Sequence, residues 1–163
     1  MVRVQSLEED RLAPIRILVV DDHGLVRRTL CGLVNAQPDM VVVCQASTGL
    51  QAVRKAEEYQ PDVVLLDIGL PELNGIHASP LIKKVAPNAE ILIVTQYEDQ
   101  FFARQAFAAG AREYVTKAGA SAELITAVKQ VYSKKQFLSE RVGRESRAIN
   151  GDPSQDARLF SSE

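Results

Sequence analysis

A chain of 163 residues with 46% hydrophobic and 25% charged side chains has room for one domain with a proper core, and some chain to spare. The formal net charge of −2 gives no electrostatic footprint for nucleic acid or an anionic membrane, and no apolar run approaches the roughly 18 residues a membrane helix needs. The polar start MVRVQSLEEDRLAP lacks the apolar stretch of a signal peptide, and Cys31 and Cys44 are too few for a disulfide scaffold, so a reduced, cytoplasmic setting is expected.

Residues 1–14 set Arg3 and Arg11 against Glu8, Glu9 and Asp10 without a clear period and read as a flexible leader. From residue 15 an apolar run, a polar turn and a helical stretch alternate five times. Residues 15–20 form a β-branched run that stops at two aspartates. Residues 24–36 then carry Leu25, Leu30, Leu33 and Val34 at near-helical spacing, stopped before Pro38. Residues 40–44 read as a second strand and 51–59 as a second helix. Val63-Val64-Leu65-Leu66 is apolar throughout, as a strand covered on both faces would be. A helical stretch follows over 80–85, its start delayed to Pro80 with Ser79 as cap, and then a fourth strand over 91–94. Residues 100–109 suggest a helix ending at Gly110, and 113–115 a short fifth strand. The last helix is expected over 121–135, with Ser121 as N-cap and Lys134 and Lys135 suited to its C-terminus. Residues 138–163, rich in Ser, Arg, Glu and Asp, read as a linker or flexible tail, which leaves 15–137 as the folded domain.

Strict β/α alternation with short connections predicts an α/β fold, a parallel sheet with helices on both faces and right-handed crossovers. In such sheets ligands bind beyond the carboxyl ends of the strands. The first strand ends in Asp21-Asp22, the third in Asp67 and the fourth in Thr95, and Lys117 follows the fifth. Three carboxylates brought to one cleft repel one another, and a divalent cation such as Mg²⁺ would offset that repulsion. Lys117 adds a point charge for an anion and Thr95 a hydroxyl donor, which together describe phosphoryl transfer onto an aspartate. Each element has a plainer reading. Asp-Asp after a strand is commonly a turn or helix cap, a strand-end Thr reflects propensity, and a loop Lys is usually solvated. The joint placement at one end of different strands carries the argument.

The segments ILVVDDHGLVRRTL, PDVVLLDIGLPELNGI, AEILIVTQYED and AGAREYVTKAGASAELITAV resemble the response-regulator receiver domains of two-component signalling, over about residues 15–137. DDH, AGAREYVTK and KKQFLSERV are most similar to the NarL/FixJ group. The resemblance implies a flavodoxin-like receiver fold with five parallel strands in the order 2-1-3-4-5. It makes Asp67 the phosphoacceptor toward a sensor histidine kinase or phosphotransfer protein. Mg²⁺ would be held by Asp22 directly and by Asp21 through water, with Asp67 and the Gly69 carbonyl completing the metal residues. Lys117 and Thr95 would bind the phosphoryl group, and Tyr114 would turn inward behind Thr95, switching a protein-interaction surface. Such a protein accepts a phosphoryl group and loses it by its own Mg-dependent chemistry rather than acting as an enzyme on a separate substrate.

The sequence departs from many receivers at Ala118, which follows Lys117 where proline is common. Gln96 and Gly69 are expected to tune access to Asp67, Gln96 by its size and Gly69 by offering no side chain. His23, although beside two aspartates, reads as a helix-entry residue rather than a ligand, and His77 as a surface residue; Phe101, Phe102 and Phe107 read as partly core, and both cysteines as small core hydrophobes. A phosphatase of the haloacid-dehalogenase type would want an aspartate where Gly69 stands. A receiver-like interaction module working without phosphorylation would be expected to lose an acidic or lysine position, and here all are kept. Nothing after Ser139 resembles a helix-turn-helix, so no direct nucleic-acid binding is expected of this chain; it is either a single-domain regulator or the receiver part of a longer DNA-binding one. The last helix is a candidate surface for a homodimer.

Overall fold

The computed structural model describes residues 13–117 and 120–149, with side chains described for 13–117 and 121–135. Among the described residues five strands, β1 (Ile15–Val20), β2 (Met40–Ala46), β3 (Val63–Leu66), β4 (Glu90–Thr95) and β5 (Ala111–Thr116), alternate with five helices. The helices are α1 (Gly24–Asn35), α2 (Gly49–Tyr59), α3 (Gly75–Val85), α4 (Gln100–Ala108) and α5 (Ala120–Ile149). All four strand pairings are parallel, in the order β2-β1-β3-β4-β5, as the resemblance implies. The chain divides into two units, residues 1–132 and 133–163, and the first contains the whole sheet. No helix among the described residues is long and apolar enough to cross a membrane.

Successive strand residues point to opposite faces, so the same strands build two cores. Ile17, Val19, Val63, Leu65, Leu92 and Val94 pack with Leu30 and Val34 of α1 and Leu124 and Val128 of α5. Leu18, Val20, Val64, Leu66, Ile91 and Ile93 pack with Ala52 and Ala56 of α2, Ala78 and Ile82 of α3 and Ala106 of α4. Every residue of β3 and β4 is buried. That double coverage explains their unbroken apolar runs.

Several boundaries differ from the sequence reading, each for a local reason. Helix α3 starts at Gly75 and runs through Pro80, so neither Pro80 nor Ser79 marks its beginning. The Asn74 side chain caps it by accepting from the His77 amide at 2.9 Å, and the buried Ser79 hydroxyl donates to the Gly75 carbonyl at 2.8 Å. Helix α2 begins two residues early because Thr48 caps it, its hydroxyl accepting from the Gln51 amide at 3.1 Å. Helix α4 ends as expected, with Gly110 beyond it at φ 109°. Ser121 lies inside α5 rather than at its cap, and Lys134 and Lys135 are internal because the helix continues to Ile149. The expected tail is therefore helical over 138–149, and only 150–163 lie outside the described residues, as do 1–12 of the expected leader. Polarity suggested a tail, but Gln136, Leu138, Glu140, Arg141 and Glu145 are all good helix formers. Of the three α4 phenylalanines only Phe102 packs on the core. Phe101 and Phe107 are 59% and 49% exposed, against the expectation that they help cover the sheet, and Leu25 of α1 is 71% exposed. Cys31 is buried and Cys44 half-buried against the core.

Candidate functional site

The registers determine which strand ends meet. Val20 lies opposite Leu66 and Thr95 opposite Thr116, so Asp21, Asp67, Thr95 and Lys117 emerge along one edge of the sheet. Backbone hydrogen bonds carry the ladder one residue past the strands. The Asp21 amide donates to the Ala46 carbonyl at 3.1 Å, that of Asp67 to Val20 at 3.1 Å, and that of Lys117 to Thr95 at 2.7 Å. The sheet itself therefore holds these side chains, more rigidly than loops alone would.

The Asp21 and Asp67 side chains are only 1% and 6% exposed. Two ionised carboxylates at that depth repel each other and lack water. Lys117 answers both, its ammonium nitrogen 2.8 Å from Asp21 Oδ2 and 3.1 Å from Asp67 Oδ2. Burial lowers the Lys117 pKa, but the two carboxylates outweigh it and leave the group above its ordinary value. The contact with Asp67 is a hydrogen bond, whereas that with Asp21 is close but out of hydrogen-bond alignment. Asp21 Oδ2 is thus buried with a close counter-charge but no aligned donor. Asp22 is more open, its side chain 30% exposed.

Three carboxylates against one ammonium leave surplus negative charge. One ligand atom from each of Asp21, Asp22, His23 and Asp67 falls within 4.8 Å of the others. An oxygen-rich pocket with surplus negative charge and a buried carboxylate oxygen short of a donor fits a hard divalent cation. His23 is a helix-entry residue, as expected, occupying the N-cap position of α1. Its amide donates to Asp21 Oδ1 at 2.9 Å, while its Nδ1 lies 3.1 Å from Asp22 Oδ1 and 3.4 Å from Asp21 Oδ1. The sequence reading did not place that ring against both carboxylates. His77 is exposed on α3, paired with Asn74, and takes no part.

Thr95 is fully buried, with its hydroxyl 3.4 Å from the Tyr97 amide that donates to it. The Tyr114 hydroxyl donates to the Tyr97 carbonyl, and burial, with Asp99 and Asp67 nearby, raises the Tyr114 pKa. Gln96 and Gly69 are both exposed. The side chain beside Gly69 is Tyr97, whose hydroxyl would lie 3.7 Å from a Cβ added there. Tyr97 also packs on Phe102 with ring centroids 4.7 Å apart. It was missed in the sequence because an aromatic in TQYED carries no periodic signal.

The response regulator receiver domain, as a family, matches residues 17–129. The chain belongs to that family. The receiver is 34% identical over 131 residues to the response regulator GacA of Pseudomonas viridiflava, covering 80% of this chain and 61% of that protein. It is 33% identical over 129 residues to the oxygen regulatory protein NreC of Staphylococcus epidermidis, covering 78% of this chain and 59% of that one. Among solved structures it is similar to a two-component response regulator of the LuxR family from Aurantimonas, at 34% identity and a TM-score of 0.72. That likeness covers 82% of this chain and 99% of the other. The receiver thus spans about three-fifths of the length of these curated relatives, which are NarL/LuxR-like. A haloacid-dehalogenase phosphatase is set aside.

Proposed function

We propose that this receiver takes a phosphoryl group onto Asp67 from the phosphohistidine of a sensor kinase or phosphotransfer protein, and that the gain switches a protein-interaction surface. The observation that carries this is the Lys117 bridge between the buried Asp67 and Asp21 at the carboxyl edge of the sheet. An Asp67 carboxylate oxygen attacks phosphorus, the P–N bond breaks, and the departing imidazole nitrogen keeps the electron pair and takes a proton from solvent. Asp21, Asp22, Asp67 and the Gly69 carbonyl would hold Mg²⁺, which when bound supplies positive charge against the phosphoryl oxygens. Lys117 moves its charge from the Asp67 carboxylate to the new phosphoryl group, so little reorganisation is needed. The Thr95 hydroxyl turns to a phosphoryl oxygen, giving up the long contact from the Tyr97 amide. Tyr114, tied to the Tyr97 carbonyl, follows and carries the change toward β5. Gly69 and Tyr97, with Gln96 outside them, set how readily water and donor reach Asp67.

The test is incubation with acetyl phosphate, or with beryllofluoride, in the presence of Mg²⁺ and intact-mass or fluorine detection. An adduct on the native chain and none on Asp67→Asn is expected. No adduct on the native chain, or an undiminished one on Asp67→Asn, refutes the proposal and favours an interaction module that works unphosphorylated. The similarity to NreC and GacA supports placing such a receiver within a longer regulator.

A further inference from the structure

We propose that His23 is a nitrogen ligand of the cation site, and that it tilts the site from Mg²⁺ toward a first-row transition ion such as Co²⁺ or Mn²⁺. The inference rests on the metal reading above and adds to it a residue and an ion class.

The geometry begins with the backbone. His23 stands at the N-cap position of α1 but makes no side-chain cap, so its ring is not engaged by the helix end. Its amide is held on Asp21 Oδ1 at 2.9 Å, which fixes the turn that carries Asp21, Asp22 and His23 together. Nδ1 then faces the carboxylates, 3.1 Å from Asp22 Oδ1 and 3.4 Å from Asp21 Oδ1. Two ligands at right angles on an octahedral ion, each bonded at about 2.1 Å, lie about 3.0 Å apart. The observed spacings are close to that value. The ring is 66% exposed, so Nε2 can carry the ring proton into water while Nδ1 offers its lone pair inward.

A second observation points to a ligand at this place. Asp21 Oδ2 is buried without an aligned donor, although the Lys117 ammonium is nearby. Lys117 is shared with Asp67, so one ammonium faces two buried carboxylates. A cation added to the cluster supplies the missing charge. Carboxylate oxygens alone suit Mg²⁺, whereas an imidazole favours Mn²⁺, Co²⁺ or Ni²⁺, in rising order of affinity. Transition ions bind almost any such site more tightly than Mg²⁺, so the diagnostic quantity is the change caused by removing the imidazole.

The experiment titrates Mg²⁺ and Co²⁺ calorimetrically into the full chain, native, His23→Ala and Asp22→Ala, with circular dichroism to check folding. The exposed ring makes His23→Ala a mild change for the fold. Loss of at least ~10-fold in Co²⁺ affinity in His23→Ala is expected, with Mg²⁺ affinity altered less than ~2-fold. Mn²⁺ bound to the native chain should show nitrogen modulation of its electron spin echo, absent in His23→Ala. Equal losses for both ions, no loss, or no nitrogen modulation overturns the role of His23. If Mg²⁺ still binds and is lost only in Asp22→Ala, that failure leaves the proposed function standing. Absence of saturable binding of either ion to the native chain overturns both readings.

Discussion

Lys117→Met isolates what the lone ammonium does for the buried carboxylates. Methionine keeps most of the volume and removes the charge, leaving Asp21 and Asp67 at 1% and 6% exposure with no counter-ion. Removing one partner of a buried pair costs about 3–5 kcal/mol, and the lower end applies where the cleft opens to water beside Asp22. At pH 7 in EDTA the expected loss is therefore about 3 kcal/mol. For a chain of this size, each kcal/mol lowers Tm by about 2–4 °C, giving a fall of about 6–12 °C. Saturating Mg²⁺ should recover part of the loss, and Lys117→Met/Asp67→Asn should recover more than Lys117→Met alone, because the surplus charge is gone. Alkaline pH gives a further check. A lysine whose folded pKa exceeds its ordinary 10.5 contributes its full stabilisation below that pH and loses it as pH rises through the raised value. The gap between native and variant should be widest below pH 10.5 and close above it. Thermal unfolding followed by circular dichroism reads all of these. A Lys117→Met chain as stable as native in EDTA at pH 7 and unresponsive to Mg²⁺ would refute the reasoning.

Gly75→Ala should destabilise by at least about 1–3 kcal/mol, because its Cβ would sit 2.1 Å from the Asp67 carbonyl oxygen, which is backbone and must shift. Urea midpoints measure that, and slower modification by acetyl phosphate should accompany it. By contrast, Gly69→Ala meets only the Tyr97 side chain, at 3.7 Å or more, and should leave the unfolding free energy from urea titration within about 0.5 kcal/mol of native. Asp22→Ala should weaken Mg²⁺ binding at least ~10-fold by calorimetry while costing little stability, since its side chain is 30% exposed; unchanged affinity removes it as a ligand. Burial pushes the Cys44 thiol up to about 11, so roughly one molecule in a thousand is thiolate at pH 8. Iodoacetamide should label Cys44 far more slowly in the folded chain than in urea, and equal rates would show the site is open.

The site was legible in the sequence because a parallel sheet turns chain order into geometry. Once Val63 to Leu66 and Ile91 to Val94 are read as buried strands, Asp67 and Thr95 must lie at one edge, whatever the loops do. The parts not legible depend on contacts between residues distant in sequence. Position 75 takes glycine because the Asp67 backbone lies against it, and Asn74 caps the helix there, facts hidden in a segment where Pro80 is the louder local signal. Phe101 and Phe102 are adjacent and equally apolar, yet only one faces the sheet, and composition cannot choose between them.

Tyr97 shows why the missed residues matter to the proposed switch. Its amide reaches the Thr95 hydroxyl at 3.4 Å, a separation at which a hydrogen bond is weak, while its carbonyl accepts from the Tyr114 hydroxyl. A phosphoryl oxygen offers Thr95 a charge-assisted bond, stronger than the one it would leave. The exchange therefore favours release of the Tyr97 amide, and the stronger Tyr114 contact then transmits the displacement instead of breaking. Tyr97→Phe keeps both backbone groups, so it should preserve the coupling and alter only access beside Gly69. Tyr114→Phe removes the hydroxyl that makes the link, so it should leave beryllofluoride binding on Asp67 unchanged while abolishing the accompanying shift of β5 amide resonances. An undiminished β5 response in Tyr114→Phe would show that the signal leaves the site by another route.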